Sequence, residues 1–340
     1  MFFNFIIILY FLIFHRRYVE QPFRNKKIIN DKLLIKSLLI FALSIITISF
    51  LIYSGKIKSK QEGIPKEIKK TFLLAENNGC LDTDYAHSPS NNKWFCEIGS
   101  LNKKISFAII GDSHALSLKP AFQIAALEKG KKGILTGFSG CPGLLNIQSV
   151  RADKNIRNCK MLNEKLFNYI KKNKIKKLFL VSRWTYYTDG NYDGTNFSFI
   201  SQKENLFSNK NMSRLSFVHG LKNTFKRYKE LNVEVFFVHQ VPLQMFSPNF
   251  IYSKSNDINK IFDYSVDYEK HKRLQSFVRN NIKILKYNNY SFKEIDFDNF
   301  FCDNNKCLIG NITSSYYFDK NHLSRNGAKS LNKEIKKYLD

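Results

Sequence analysis

The tetrapeptide Gly111-Asp112-Ser113-His114 puts a carboxylate, a hydroxyl and an imidazole where an apolar run ends and a helical pattern begins. A serine on such a turn points into the crevice beyond the carboxyl ends of the strands, where open α/β sheets bind ligands. The N–H groups of the following helix offer positive potential to a developing oxyanion, and Gly111 permits the tight backbone path. Near the other end of the chain stands Asp319-Lys320-Asn321-His322-Leu323-Ser324. A serine nucleophile needs a base, and the base needs an orienting carboxylate. Asp319 and His322, three apart on one turn, can supply both. Each motif alone also has a plainer reading. Asp-Ser before a helix is what an N-cap looks like, and a loop histidine ahead of a Ser324 cap is ordinary on a surface. Together they provide the parts of acyl transfer through a serine ester.

Such parts need a rigid support. Ile105 to Ile110 is an apolar, β-branched run of strand length. The pattern predicts further strands over Gly133 to Phe138, Lys177 to Trp184, Val233 to Val241 and Ser291 to Phe297. Helical patterns cover Ala115 to Lys129, Lys160 to Lys172, Ser213 to Leu231, Tyr268 to Leu285 and Arg325 to Leu339. This alternation predicts a five-stranded parallel sheet, ordered 2-1-3-4-5, with helices on both faces.

The formal charge of +26 on 340 residues raises the question of nucleic acid or anionic lipid. Lysine is spread along the whole length rather than gathered in a patch, and no nucleic-acid module is present, so no nucleic-acid partner is expected. The six cysteines have no zinc-ligand spacing, and no metal is expected. Six allow fifteen pairings. The simplest joins neighbours: Cys80 with Cys96, Cys141 with Cys159, Cys302 with Cys307. Disulfides imply an oxidising compartment.

Two apolar segments open the chain. Phe2 to Phe14 is short of the roughly 20 residues a spanning helix needs, whereas Leu33 to Tyr53 is long enough, with Lys36 near one end. The basic stretch His15 to Arg24, with Lys26 and Lys27, reads as a cytoplasmic loop. Lysines also crowd the far side of the second segment, and the paired cysteines place that side outside. The expectation is a two-span anchor over 1–54, a polar linker over 55–78 and an exported domain over 79–340.

A Gly-Asp-Ser block on the first strand and an Asp-x-x-His block before the last helix resemble the SGNH hydrolase superfamily. The resemblance implies a flavodoxin-like three-layer αβα sandwich. It implies Ser113 as nucleophile, His322 as general base and acid, and Asp319 as orienter. Oxyanion donors in that superfamily come from the nucleophile's N–H, a second-block glycine and a third-block asparagine. Gly140, within Gly137-Phe138-Ser139-Gly140-Cys141-Pro142, is the glycine candidate. The third block here reads Ser182-Arg183-Trp184-Thr185-Tyr186, without the asparagine; either Arg183 takes its place or the hole runs on two donors.

Gly-Asp-Ser-His, Cys141-Pro142, Arg183-Trp184 and the local cysteine pairs are similar to the SGNH domain fused to membrane acyltransferases of acyltransferase family 3. Arg17-Tyr18-Val19-Glu20-Gln21-Pro22-Phe23-Arg24 is similar to the motif that closes their membrane domain, so the chain is expected to be the C-terminal part of such a protein. The implied activity is O-acyl transfer, acetyl above all, to a hydroxyl of a cell-surface glycan such as lipopolysaccharide O-antigen, capsule or peptidoglycan. No cofactor is expected to be bound. The acyl donor would derive from acetyl-CoA and arrive through a membrane domain largely absent here. The expected partners are the polysaccharide, the membrane and a separate acyltransferase membrane domain. The expected place is the bacterial inner membrane, with the SGNH domain in the periplasm or outside the cell. Asp112, His114, Arg183 and Trp184 are candidates for substrate binding, and Trp184, Tyr186 and Tyr187 for stacking on sugar rings. His87, His219, His239 and His271 receive no role. A carbohydrate esterase with the same triad, or a non-catalytic glycan-binding fragment, are the alternatives.

Overall fold

The computed structural model describes residues 31–54, 64–82, 94–150, 156–202, 208–254 and 257–340. The chain divides into two units, Met1–Gly63 and Ile64–Asp340. In the first, α1 (Asp31–Tyr53) is a helix of 23 residues. Its side chains are described continuously only from Leu39 to Leu51, and those from Leu39 to Phe50 are exposed. Among the described residues no helix is long and apolar enough to cross a membrane. The expected two-span anchor is therefore unsupported here, and its first segment, Phe2 to Phe14, lies outside the described residues.

The second unit is built on a six-stranded sheet. Its strands are β1 (Cys96–Gly99), β2 (Ile105–Gly111), β3 (Lys132–Gly137), β4 (Lys177–Val181), β5 (Glu234–Val238) and β6 (Lys293–Ile295), in the order β1-β3-β2-β4-β5-β6. β2 to β6 are parallel, and counted among themselves they follow the expected order 2-1-3-4-5. The expectation of five strands misses β1, an antiparallel edge strand on β3. Cys-Glu-Ile-Gly is too short to show alternation. Its ladder to β3 holds it at the edge, and the Cys80–Cys96 disulfide ties it to the chain before it.

β2 to β5 are buried on both faces, as crossover helices require, whereas β6 at the sheet edge keeps Lys293 exposed. From β2, Phe107 and Ile109 enter one apolar layer while Ala108 and Ile110 enter the other. The first layer is closed by α3 (Ser113–Glu128), the helix that follows α2 (Lys66–Lys69) in the chain, and by the C-terminal helices. In it Phe122, Phe179 and Phe236 form a run of ring contacts at 4.9 and 4.6 Å. The second layer is closed by α4 (Ile156–Asn173), α6 (Lys210–Glu230) and α7 (Tyr268–Tyr287), with the short α5 (Trp184–Thr188) between α4 and α6. Each fully buried Phe or Leu contributes about 1.5–3 kcal/mol by leaving water.

Two boundaries differ from expectation. Ile64, Ile68, Phe72 and Ala75 are buried in the first layer, so residues 64–78 belong to the compact unit rather than to a linker over 55–78. Ile64, Ile68 and Phe72 recur every four residues, one face of a helical path. The expected last helix, Arg325 to Leu339, is two short helices, α8 (Arg325–Lys329) and α9 (Asn332–Lys336). The break at Ser330 and Leu331 lets Leu331 enter the core at 0% exposure.

All six cysteines pair as neighbours: Cys80–Cys96, Cys141–Cys159 and Cys302–Cys307. In the chain-entropy picture a loop of about 15 residues adds roughly 3 kcal/mol, so the two longer bridges, spanning 16 and 18 residues, carry most of the effect. Reduction is expected to lower the melting temperature. The intact mass before reduction should be lighter than after it by the six hydrogens of three bridges. Equal masses would contradict the pairing.

Candidate active site

The site begins where three strand ends draw together. Gly111 at the end of β2 pairs with Gly137 of β3 and Val181 of β4. A Cβ on Gly111 would lie 1.6 Å from the Val181 carbonyl oxygen, and one on Gly137 would lie 1.9 Å from the Gly111 oxygen. Any side chain at either position would force the strand ends apart beneath the turn.

Asp112 follows as the N-cap of α3. Its carboxylate accepts from the His114 N–H at 2.9 Å, the Arg183 N–H at 2.9 Å and the Tyr187 hydroxyl at 2.8 Å. Burial pushes this carboxyl up, and the three hydrogen bonds oppose that shift. At 2% exposure Asp112 is a clamp between the starts of α3 and α5. The expectation that it binds substrate is corrected on that ground.

Ser113 is the first residue of α3, and its Oγ lies 2.7 Å from His322 Nε2. His322 Nδ1 lies 2.8 Å from Asp319 Oδ2. The other carboxylate oxygen accepts the N–H groups of Asn321 and His322, both at 2.7 Å. With Nδ1–H donated to Asp319, Nε2 is left to accept from the Ser113 hydroxyl. Burial alone would raise the Asp319 carboxyl. The hydrogen bond and charge of His322, with the two backbone N–H groups, bring it instead from an ordinary 3.8 to about 2. Ser324 begins α8 directly after, its Oγ accepting from the Gly327 N–H at 3.0 Å. The helix start thus anchors the turn that holds the base.

His114 is 5% exposed. Its ring centroid is 5.2 Å from that of His322, and its Nε2 is 3.2 Å from Asn321 Oδ1. Burial pushes its pKa well below the ordinary range, and the charges of His322 and Arg183 push the same way. It is a neutral imidazole beside the base. Asn321, a mere spacer when the sequence is read, is the partner that sets this ring; its place inside the Asp-x-x-His turn was the available signal.

Arg183 is 7% exposed. Its guanidinium sits 4.8 Å above the Tyr186 ring and donates through Nη2 to Asn191 Oδ1. Its Nε is buried with no hydrogen-bond partner among the described residues. Trp184 does not face a ligand. It is 0% exposed, donates to the Val238 carbonyl at 2.8 Å and stacks on Phe237 at 4.7 Å. Tyr187 is equally buried. Neither ring can stack on a sugar, because the crossover after β4 turns both into the second core layer; Tyr186 remains half-buried.

Gly140 lies three residues beyond the end of β3 with φ of 72°, in the left-handed region that suits glycine. Its carbonyl accepts a long 3.5 Å bond from Ser198, and no acceptor for its N–H occurs among the described residues. The adjacent Cys141 is bridged to Cys159 of α4, which ties this loop down.

His271 and His239 pair with Asp298 at 3.0 Å and Glu294 at 2.9 Å. His271, Asp298 and Cys302 lie close enough to suggest a metal, but the Cys302 sulfur is bonded to Cys307 and is not a free thiolate. His219 lines a surface cleft and His87 lies outside the described residues.

A mostly parallel sheet with a serine at the end of its first parallel strand and a histidine before the last helices defines an α/β fold of the SGNH kind. The chain belongs to the family described as "SGNH domain (fused to AT3 domains)", which matches residues 79–337. Among solved structures it is similar to the periplasmic domain of the lipopolysaccharide acetyltransferase of Salmonella ser. Paratyphi A. The identity is 18% and the TM-score 0.56, over 83% of this chain and 100% of that one. It also aligns with a putative acylhydrolase of Bacteroides fragilis, at 10% identity and a TM-score of 0.40 over 75% of this chain and 94% of that one. No curated protein matches significantly. At 18% identity the Salmonella likeness bears on the fold.

Proposed function

We propose that this protein is a serine O-acyltransferase that moves an acyl group, acetyl foremost, to a hydroxyl of a cell-surface glycan such as lipopolysaccharide O-antigen, capsule or peptidoglycan. The observation that carries the reading is the 2.7 Å approach of Ser113 Oγ to His322 Nε2, across a separation of 209 residues. Ser113 Oγ attacks the carbonyl carbon of an acyl thioester or ester while His322 Nε2 takes the hydroxyl proton. The bond to the leaving group breaks, and the leaving group receives that proton. A glycan hydroxyl then gives its proton to His322 and attacks the serine ester. The carbon–Oγ bond breaks and Oγ recovers the proton. Asp319 holds the ring tautomer throughout.

The Ser113 and Gly140 N–H groups and the Arg183 guanidinium are the proposed oxyanion donors. The donor acyl group would derive from acetyl-CoA and be delivered by an acyltransferase membrane domain, with this chain held at the bacterial inner membrane and its SGNH domain outside the cytoplasm. The three disulfides support the outside placement. The AT3-fused family supports transfer rather than simple hydrolysis. Purified protein incubated with p-nitrophenyl acetate should carry an acetyl group on the Ser113 peptide in the mass spectrum. Nitrophenolate release that continues undiminished in Ser113→Ala would refute a serine ester.

Arg183→Ala is expected to lower kcat for that ester by about 10²–10³-fold, the cost of one lost oxyanion donor, with KM changed far less. A matching loss confined to KM would mean that Arg183 binds ground-state substrate instead.

A further inference from the structure

Beside the Asp319–His322 turn lies a cavity of 220 Å³ that the chemistry above does not use. Its walls include Asn191, Asp193 and Asn196 after α5, Met245 after β5, and Lys320 and Asn321 of the turn itself. Two of its lining residues therefore stand between the orienting carboxylate and the base. The walls are tied together: the Tyr192 hydroxyl donates to the Leu243 carbonyl at 2.7 Å, and the Gln244 N–H donates to the Lys320 carbonyl at 2.6 Å.

The lining has the chemistry of hydroxyl recognition. The Asn191 carbonyl oxygen accepts from Arg183 and that of Asn321 faces His114, which leaves both amide NH₂ groups as donors. Met245 adds an apolar face for ring C–H groups. Asp193 and Lys320 bring one negative and one positive charge, so the lining has no net charge to attract an anion. The 220 Å³ is many times the roughly 10–15 Å³ that a single water requires, so the space can admit a group as large as a sugar ring. Asp193, Asn196 and Lys320 are exposed, so the rim is open to a chain that continues outward.

We propose that this cavity is the acceptor subsite and takes a single neutral, hydroxyl-rich pyranose of the glycan, with its reacting hydroxyl toward His322. The proposal rests on the acyl-serine reading above. In the transfer step the sugar O–H proton passes to His322 Nε2, the sugar oxygen bonds to the acyl carbon, and Ser113 Oγ leaves with the proton.

The test uses the full chain, p-nitrophenyl acetate as donor, and four acceptors: methyl glucopyranoside, galactopyranoside, rhamnopyranoside and glucuronide. Nitrophenolate release without sugar that Ser113→Ala abolishes reports the acyl-serine, and its absence overturns the acyl-serine reading and this proposal with it. With release established, mass spectrometry should find at least one neutral glycoside acetylated with saturable dependence, and the glucuronide at least about tenfold poorer, a 1.4 kcal/mol difference. Asp193→Ala and the cavity-filling Met245→Trp should each raise the half-saturating sugar concentration about tenfold. Acetate as the sole product with every sugar, equal transfer to the glucuronide, or saturation unmoved by Asp193→Ala overturns the proposal while leaving the acyl-serine intact.

Discussion

Replacing Ser113 by Ala is expected to lower acyl turnover about 10⁶-fold, and replacing His322 by Ala to do nearly the same, because triad members act as a unit. The two groups meet at 2.7 Å, and each is of little use without the other. Without His322 the Ser113 hydroxyl keeps its proton near neutral pH; without Ser113 the imidazole has only water to activate. The double variant should therefore be little worse than either single one. Folding is not at stake in Ser113→Ala, since the cap of α3 belongs to Asp112, whose three hydrogen bonds remain. Steady-state nitrophenolate release and the melting temperature, measured on the same samples, check both halves. Activity within tenfold of wild type in Ser113→Ala, at unchanged stability, would remove Ser113 as nucleophile and favour the glycan-binding alternative.

What could be read from the sequence divides along physical lines. β2 to β5 are legible because a parallel strand buried on both faces is a continuous apolar run between helical patterns. Ile105–Gly111 and Glu234–Val238 show this plainly. β1 is not, because four residues carry no period. The meeting of Ser113 with His322 is legible only through the pairing of two motifs, since nothing local joins them. The substrate-facing residues fare worst. Asp112 and Trp184 sit beside motif positions, yet one is a buried clamp and the other a core ring. Sequence adjacency to a nucleophile says nothing of which way a side chain turns as the crossover leaves the sheet. The cavity beside the turn draws on residues 191–196, 243–245 and 320–321, three loops without periodicity or spacing to link them. Loops carry specificity because the scaffold does not dictate them, and for the same reason they are the part that patterns leave unread.

Asp319→Asn is expected to cost about 10⁴-fold in kcat, less than loss of Ser113 or His322. The carboxylate does not react; it accepts Nδ1–H at 2.8 Å and so keeps Nε2 free to receive the serine proton. An amide in its place can donate to Nδ1 and favour the opposite tautomer, which turns Nε2–H toward Ser113. KM should move little. A second readout separates this role from simple positioning. The Asp319 carboxyl is depressed from 3.8 to about 2 in the folded protein. A depressed carboxyl contributes stability above its unfolded value and loses it as pH falls through the folded value. Wild type should therefore lose stability between pH 4 and pH 2, and Asp319→Asn, which has no carboxyl to titrate, should lose less over the same interval. Urea unfolding at both pH values measures the difference. The side chain is 37% exposed, so solvent weakens the contribution without changing its sign. A variant with the acid sensitivity of wild type would mean that His322 and the backbone N–H groups do not hold Asp319 ionised, and a kcat within tenfold of wild type would mean that the ring keeps its tautomer without it.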